Sequence, residues 1–415
     1  MAADRIVVVA PTVPARTGNG LAMRAGMFLE ALSEHADVDL VVVPVSGATA
    51  GLGWPTSRAH TVQVFEPATG DLAVEHLTAQ LADGRLRARL EATAPLPGRA
   101  RLAPPTLAED ILRVLDREPA PAVVVALRGY LAPLGSEIAV RTTASRFVID
   151  LDDDEEPLLR ALGDEAEADA VHRLGQAWLP DADAVLVASP IEARSVSDRY
   201  DLDTVAVVPN AVHQVSNLGG TTVSDDHLLF VGNLTYVPNL EAASLLVQEV
   251  LPLVRRRRPD AAVDLVGGAE PGALDQLAAL PGVTIAGQVP DVAPWYNRAG
   301  VVVVPLQHGA GTRFKILEAF AHRRPVVATP AAVAGLQVTD GHDVRLSETC
   351  VGLARAVTDL LEDPRLGAAI ADRAARTLER QYVPSAVYPA LRQAVLGRTP
   401  PSSPAVPSTG GTEAA

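Results

Sequence analysis

Lysine is almost missing from this chain: Lys315 is the only one in 415 residues, and every other Lys/Arg position is arginine. Cysteine is as scarce, since Cys350 stands alone. A single thiol excludes an intrachain disulfide and gives no sign of an oxidising compartment. Aromatic residues make up only 4% of a chain rich in Ala and Val, a soluble globular composition. Positive charge is also in deficit. The formal net charge of −15 argues against nucleic acid or an anionic membrane as the main partner, while leaving room for a local basic pocket. No apolar run approaches the roughly 20 residues of a membrane span, so no integral membrane segment is expected. Nor is a signal peptide expected, because Met1-Ala2-Ala3-Asp4-Arg5 leads straight into a short strand. The expected location is cytoplasmic, with peripheral contact at the inner face of the membrane left open.

What is present is an alternation of β-branched runs and helical patterns. The length exceeds one ordinary core, so two domains of similar size are expected. In the first half strands are predicted at 6–10, 38–43, 123–127, 147–151, 185–188 and 205–208, with helical spacing over 21–34, 71–93, 106–117 and 157–178. This alternation implies a mostly parallel sheet with helices on both faces. The proline-rich stretch 94–105 reads as a loop or hinge. Residues 213–226 lack periodicity and are rich in Ser, Thr, Gly and Asn, the pattern of a linker.

The second half restarts the pattern, with strands at 228–232, 262–266, 283–285 and 301–304. A helix over 240–258 has Leu245, Leu246, Val250 and Leu253 on its apolar face. Arg255-Arg256-Arg257-Arg258 at its end complements the helix dipole in water, a simpler reading than a nucleic-acid patch. Further helices are expected over 351–361 and 365–381. The expected organisation is an N-terminal domain 1–212, a linker 213–226, a C-terminal domain 227–381, a helix at 382–398 returning to the first half, and a disordered tail 399–415. A ligand bound between the two domains is the natural expectation.

The sharpest stretch is GVVVVPLQHGAGTRFKILEAFAHRRPVVATP, residues 300–330. Val301 to Val304 form an unbroken run of the kind buried on both faces of a sheet. The loop Gln307-His308-Gly309-Ala310-Gly311-Thr312 follows, and its glycines let backbone N–H groups approach a ligand closely. After Arg313 comes a helix with Phe314, Leu317 and Ala321 spaced for one buried face, stopped near Pro325 by the next strand. Strand, glycine loop, helix start and strand place an anion at the carboxyl end of a parallel sheet. The lone lysine falls here. An ammonium acts as a point charge on phosphate where arginine forks, so Lys315 beside this loop marks a phosphate site.

From Phe230-Val231-Gly232 onward the second half resembles glycosyltransferase family 4, whose members are retaining enzymes of the GT-B fold. The residues that carry the resemblance are the Gly232 loop with Pro238-Asn239, the strand end Val266-Gly267, Gly287-x-Val289-x-Asp291, Pro305, Lys315-x-x-Glu318-Ala319 and Pro325-Val326-Val327-Ala328-Thr329. The first half matches through Gly18-Asn19-Gly20, Asp181-Ala182-Asp183-Ala184-Val185 and Pro209-Asn210. The resemblance implies two Rossmann-like, doubly wound α/β domains facing across a cleft. It further implies transfer of a sugar from a nucleoside-diphosphate sugar to an acceptor hydroxyl without a metal or separate cofactor. The acceptor stays open among polysaccharide, lipid-linked and small-molecule hydroxyls.

Under that resemblance Glu318 binds the donor ribose, and Arg313 and Lys315 neutralise the diphosphate with help from Gly309, Gly311 and Thr312. Gly18 and Gly20 approach the donor phosphate and the acceptor, while Gly232 and Asn233 line the donor loop. Two departures matter. The first of the family's usual two glutamates falls at Ala310, and its usual Arg and Lys after the first strand of this domain fall at Asn233 and Pro238. This pattern resembles a subclass in which Arg313 and Lys315 carry the phosphate charge. His308 and the backbone of 309–311 are candidates for contacting the transferred sugar, with an ordinary loop histidine as the other reading. Asp150-Leu151-Asp152-Asp153-Asp154-Glu155-Glu156 ends a first-half strand. Asp152 or Asp153 is a candidate for the acceptor hydroxyl; a cation site, or a solvated acidic helix start, is the alternative. Other readings of the whole chain are a non-catalytic sugar-nucleotide-binding or partner protein and a nucleotide-sugar epimerase.

Overall fold

The computed structural model describes residues 4–45, 56–66, 96–117, 119–215, 226–308 and 313–397. Its valine-rich runs build two separate parallel sheets. The first comprises β1 (Asp4–Ala10), β2 (Ala36–Val42), β3 (Thr61–Val64), β4 (Val123–Leu127), β5 (Arg146–Asp152), β6 (Ala184–Val187) and β7 (Val205–Val207), in the order β3-β2-β1-β4-β5-β6-β7. The second comprises β8 (His227–Val231), β9 (Ala262–Val266), β10 (Val283–Gly287), β11 (Val301–Val304), β12 (Val326–Ala328) and β13 (Arg345–Leu346), in the order β10-β9-β8-β11-β12-β13. Strand order reverses beside β1 in one sheet and beside β8 in the other. In doubly wound sheets such reversals put ligands at the carboxyl ends of the strands. These are the two doubly wound α/β domains that the resemblance implied.

Alternation along β1 explains how the first sheet is covered on both sides. Ile6 and Val8 enter one apolar cluster, and Val7 and Val9 enter the other. Val301 to Val304 are wholly buried, as their unbroken run requires. The C-terminal helix Pro384–Leu396 lies on the first domain, with Val387, Leu391 and Val395 in the same cluster as Phe28 and Leu32. The two domains also touch through backbone, as Val212 N–H donates to the Tyr382 carbonyl at 2.9 Å. Nearby, the Tyr382 hydroxyl accepts from Gln337 N–H at 2.8 Å.

Some expectations change. The helix read over 157–178 is two helices, Glu155–Ala161 and Glu165–Trp178. The break is at Gly163, which takes φ +79°, and Asp164 caps the second helix by accepting from Glu167 N–H. In the helix Phe314–Ala321 the buried face is Ile316, Leu317, Ala319 and Phe320, while Phe314 and Ala321 are only half-buried. Phe314 instead turns toward the first domain, where a Cβ at Gly20 would come within 3.1 Å of its ring. The arginine run at 255–258 is partly engaged within the protein: Arg257 pairs with Glu362, and Arg258 with Asp226 at 2.8 Å. Helices Ala132–Thr142 and Pro190–Tyr200 fill crossovers for which the sequence reading named none. The helix expected over 71–93, most of the linker and the tail lie outside the described residues. Among the described residues no helix is long and apolar enough to cross a membrane.

Candidate active site

The carboxyl ends of β1, β5 and β8 and the start of the helix Phe314–Ala321 open onto one cleft of about 1160 Å³, lined from both domains. On the second-domain wall Lys315 Nζ donates to Asn239 Oδ1 at 2.6 Å and lies 4.5 Å from the centre of the Phe230 ring. A Cβ at position 232 would stand 2.8 Å from that ammonium and 3.0 Å from Asn239 Nδ2, so any larger residue would displace this pair. Burial, and then the neighbouring Arg313 charge, push the ammonium down to about 7 against the pull of Glu318.

Glu318 lies one helical turn further on. Burial pushes its carboxyl up to about 7, although Tyr296 and Lys315 favour the ionised form. The Tyr296 hydroxyl is 3.1 Å from Glu318 Oε2 and 3.0 Å from the Lys315 carbonyl oxygen. One phenolic proton serves only one of these oxygens at a time, and the hydroxyl stands within reach of both residues. Its ring is wholly buried and stacks on His322 with centroids 5.1 Å apart. Arg313 precedes the helix and faces the cleft, and its buried Nε has no hydrogen-bond partner among the described residues.

The first-domain wall is arranged differently. Arg24, within the helix Gly20–Ser33, grips Asp150 with Nε at 3.0 Å and Nη2 at 2.6 Å. Its Nη1 donates to the Val208 carbonyl at 2.7 Å and to Asn210 Oδ1 at 3.0 Å. Asp152 has φ +60° and accepts from Asn210 Nδ2 at 3.0 Å, with Arg24 3.7 Å away. Asp154 pairs with Arg199 at 2.7 Å, and Glu155 with Arg128. The acidic run is therefore not a solvated helix start: Asp150, Asp152, Asp154 and Glu156 are all buried. Glu155 is 23% exposed and pairs with Arg128. Asp153 is the most exposed carboxylate of the run: its side chain is 29% exposed, it has Arg128 at 3.3 Å, and burial followed by the Asp152 charge pushes its carboxyl up to about 7.

Gly18, Gly20, Asp152, Gly232, Asn233, Arg313, Lys315 and Glu318 are all brought to this one cleft. His308 is exposed and is not among the cleft-lining residues, so its candidacy for the sugar loses geometric support. Gly309, Ala310, Gly311 and Thr312 lie outside the described residues. Asp152, the first-half catalytic candidate, lines the cleft, but Asn210 and arginines hold its carboxylate; Asp153 is the accessible one. Among the described residues no group of three His, Cys, Asp or Glu side chains is placed to hold a metal ion. For Asp150 and Asp152 the reason is visible, since Arg24 already occupies the space between them. Sequence reasoning missed Asn239, Tyr296 and Arg128 as site residues. Asn239 was within reach, because it falls in the Pro238-Asn239 pair. Tyr296 and Arg128 carry no local signal, since only the fold brings them to Glu318 and Asp153.

Residues 225–363 match the model of a family described as Glycosyl transferases group 1. A search of curated proteins finds no match. Among solved structures, HepE of Anabaena, in complex with UDP and glucose, is similar at 15% identity over 95% of this chain and 99% of that one, with a TM-score of 0.65. Sucrose-phosphate synthase from Thermosynechococcus elongatus is similar at 17% identity over 94% of this chain and 98% of that one, with a TM-score of 0.70. TarM of S. aureus, in complex with Fondaparinux, alpha-GlcNAc-glycerol and UDP, is similar at 10% identity over 94% of this chain and 99% of that one, with a TM-score of 0.67. At these identities the likeness establishes the fold. The second domain thus matches the glycosyl transferases of group 1 over residues 225–363, and the chain as a whole has the two-domain GT-B fold shared with these structures.

Proposed function

We propose that this protein is a retaining glycosyltransferase of family 4 type that moves a sugar from a nucleoside-diphosphate sugar to an acceptor hydroxyl, with no metal in the reaction. The observation that carries the reading is the second-domain wall. Lys315, Arg313 and Glu318 sit together at one helix start in a cleft whose opposite wall presents Asp153. Two cations at the start of a helix suit a diphosphate, and a carboxylate one turn on suits the ribose hydroxyls. As the anomeric carbon–oxygen bond to phosphate breaks, the electron pair leaves with the diphosphate, and Arg313 and Lys315 stabilise that charge. The acceptor oxygen bonds to the same carbon on the same face, and its proton passes to the departing phosphate oxygen. The group 1 match and the UDP complexes of HepE and TarM support a nucleotide-sugar donor. The arginine occupancy of Asp150 and Asp152 favours this route over a metal held by those two carboxylates.

The test is a thermal-shift panel of UDP, GDP, ADP and their sugar conjugates, followed by turnover with and without EDTA. Stabilisation by at least one diphosphate and EDTA-insensitive turnover are expected, and retention is checked from the anomeric configuration of the product by NMR. Absence of any diphosphate-induced shift sinks the reading.

A further inference from the structure

Beyond Asp153 the first-domain wall continues as a lobe of different chemistry. The helices Glu155–Ala161 and Glu165–Trp178, with the turn at Gly163 between them, bring Leu158, Leu159, Leu162 and Val171 to the cleft. Leu162 is 38% exposed, and Tyr236, which lines the cleft from the second domain, is 36% exposed. Single exposed apolar side chains on a convex surface are ordinary, but a group of them in a concavity marks a binding surface. The charges around the lobe are largely matched within the protein: Arg128 pairs with Glu155 and lies 3.5 Å from Asp152 and 3.3 Å from Asp153, while Arg99 lies 3.2 Å from Glu155. Glu167 accepts the Gly98 N–H at 3.0 Å. A sugar-chain acceptor needs a hydrogen-bond partner for each hydroxyl it buries, and aliphatic side chains supply none.

We propose that the acceptor is an alcohol or phenol with an apolar body, which packs on Leu158, Leu159, Leu162 and Val171 and presents its hydroxyl at Asp153. This inference rests on the glycosyl-transfer reading above and keeps its balance of atoms: the acceptor oxygen gains the anomeric carbon and the diphosphate leaves with the acceptor proton. Tyr236 covers the apolar body from the second domain. The buried Nε of Arg101, without a partner among the described residues, offers one contact to a carbonyl or ether oxygen on that body.

The test is equilibrium binding to the full chain, with and without UDP, of 2-naphthol as a compact alcohol, farnesol as a lipid-like alcohol, and maltotriose as a sugar acceptor. At least one of the two apolar alcohols is expected to bind about tenfold or more tightly than maltotriose. Tighter 2-naphthol assigns a compact aglycone, and tighter farnesol a lipid-like one. Leu162→Asp and Val171→Asp are each expected to weaken that alcohol by about tenfold or more while leaving UDP affinity within about twofold. Melting curves of both variants are recorded alongside, and the exposed Leu162 position guards against loss of fold. If UDP fails to bind but the alcohol binds and is lost in Leu162→Asp, glycosyl transfer falls and the apolar lobe stands. Tighter maltotriose, no binding by any of the three, or alcohol binding untouched by both substitutions overturns the proposal.

Discussion

At the end of β5 in the first domain each buried carboxylate has a partner: Asp150 and Asp152 have Arg24, Asp154 has Arg199, and Glu156 has Arg160, His172 and Tyr200. At the helix start after β11 in the second domain fewer partners are seen among the described residues. Lys315 donates to the Asn239 oxygen, and the Arg313 Nε has no hydrogen-bond partner there. Both walls sit at strand ends beside one cleft, so the difference is not one of fold. A buried pair whose geometry is complete holds structure in place, whereas buried cations short of partners are poised for an anion. The first wall is scaffold, with the more exposed Asp153 as its exception. In the proposed function the second wall binds the donor.

The largest expected effect falls on the scaffold side. Arg24→Met leaves Asp150 buried without its cation and is expected to destabilise the protein by about 3–5 kcal/mol, measured by urea unfolding. A loss under about 1 kcal/mol, the value typical of an exposed pair, breaks the contrast between the walls. On the binding side Lys315→Ala is expected to lower kcat/KM for donor by about 100-fold or more and to weaken UDP in calorimetry, with the fold intact. Lys315→Arg is expected to fail as well, because a longer, planar guanidinium does not reproduce the compact ammonium set against Gly232, Asn239 and Phe230.

Asp153→Asn tests the exception on the scaffold wall. Turnover is expected to drop between about 10- and 100-fold, with UDP affinity and melting temperature unchanged. The same substitution at Asp152 is expected to lower the melting temperature, since it disturbs the contact with Asn210. Equal behaviour of the two variants would erase the distinction drawn between them.

The smallest effect is a proton count. Lys315 sits near 7 in the empty cleft, so a bound diphosphate that favours the charged amine draws a proton onto it. Calorimetry in buffers of different ionisation enthalpy is expected to show uptake of about one proton per UDP near pH 8, less as pH falls through 7, and none from this source in Lys315→Met. For the empty protein the sign runs the other way. A lysine whose folded value lies below 10.5 costs stability as pH falls from that value, and the cost is complete below about 7. Lys315→Met is therefore expected to raise the melting temperature of the empty protein at pH 6 and 7, with the gain shrinking toward pH 10.

Much of this was legible in the residues. Unbroken apolar runs at 301–304 and 123–127 read as covered strands, and their alternation with helical spacing leads to parallel sheets. A lone lysine beside a glycine loop singled out Lys315 as a phosphate candidate, and the fold brings it to the cleft. The break at Gly163 was less legible, because apolar spacing continues across it while the cap at Asp164 is a local signal easily outweighed. The acidic run misled more deeply. Seven residues rich in Asp and Glu look solvated until the arginines that neutralise them are known, and Arg24 and Arg199 come from helices far away in sequence.

By itself, then, the sequence determined the two-sheet class, and it singled out Lys315 and Glu318, which the fold brings to one cleft. Strand periodicity, glycine spacing and residue type are local properties that survive without contacts. Only the tertiary structure decided that Arg24 holds Asp150 and approaches Asp152, that Asp153 lines the cleft, that Tyr296 joins Lys315 to Glu318, and that His308 is not among the cleft-lining residues. Those roles depend on which distant side chain arrives to pair a charge, and pairing across helices and domains leaves no periodic trace along the chain.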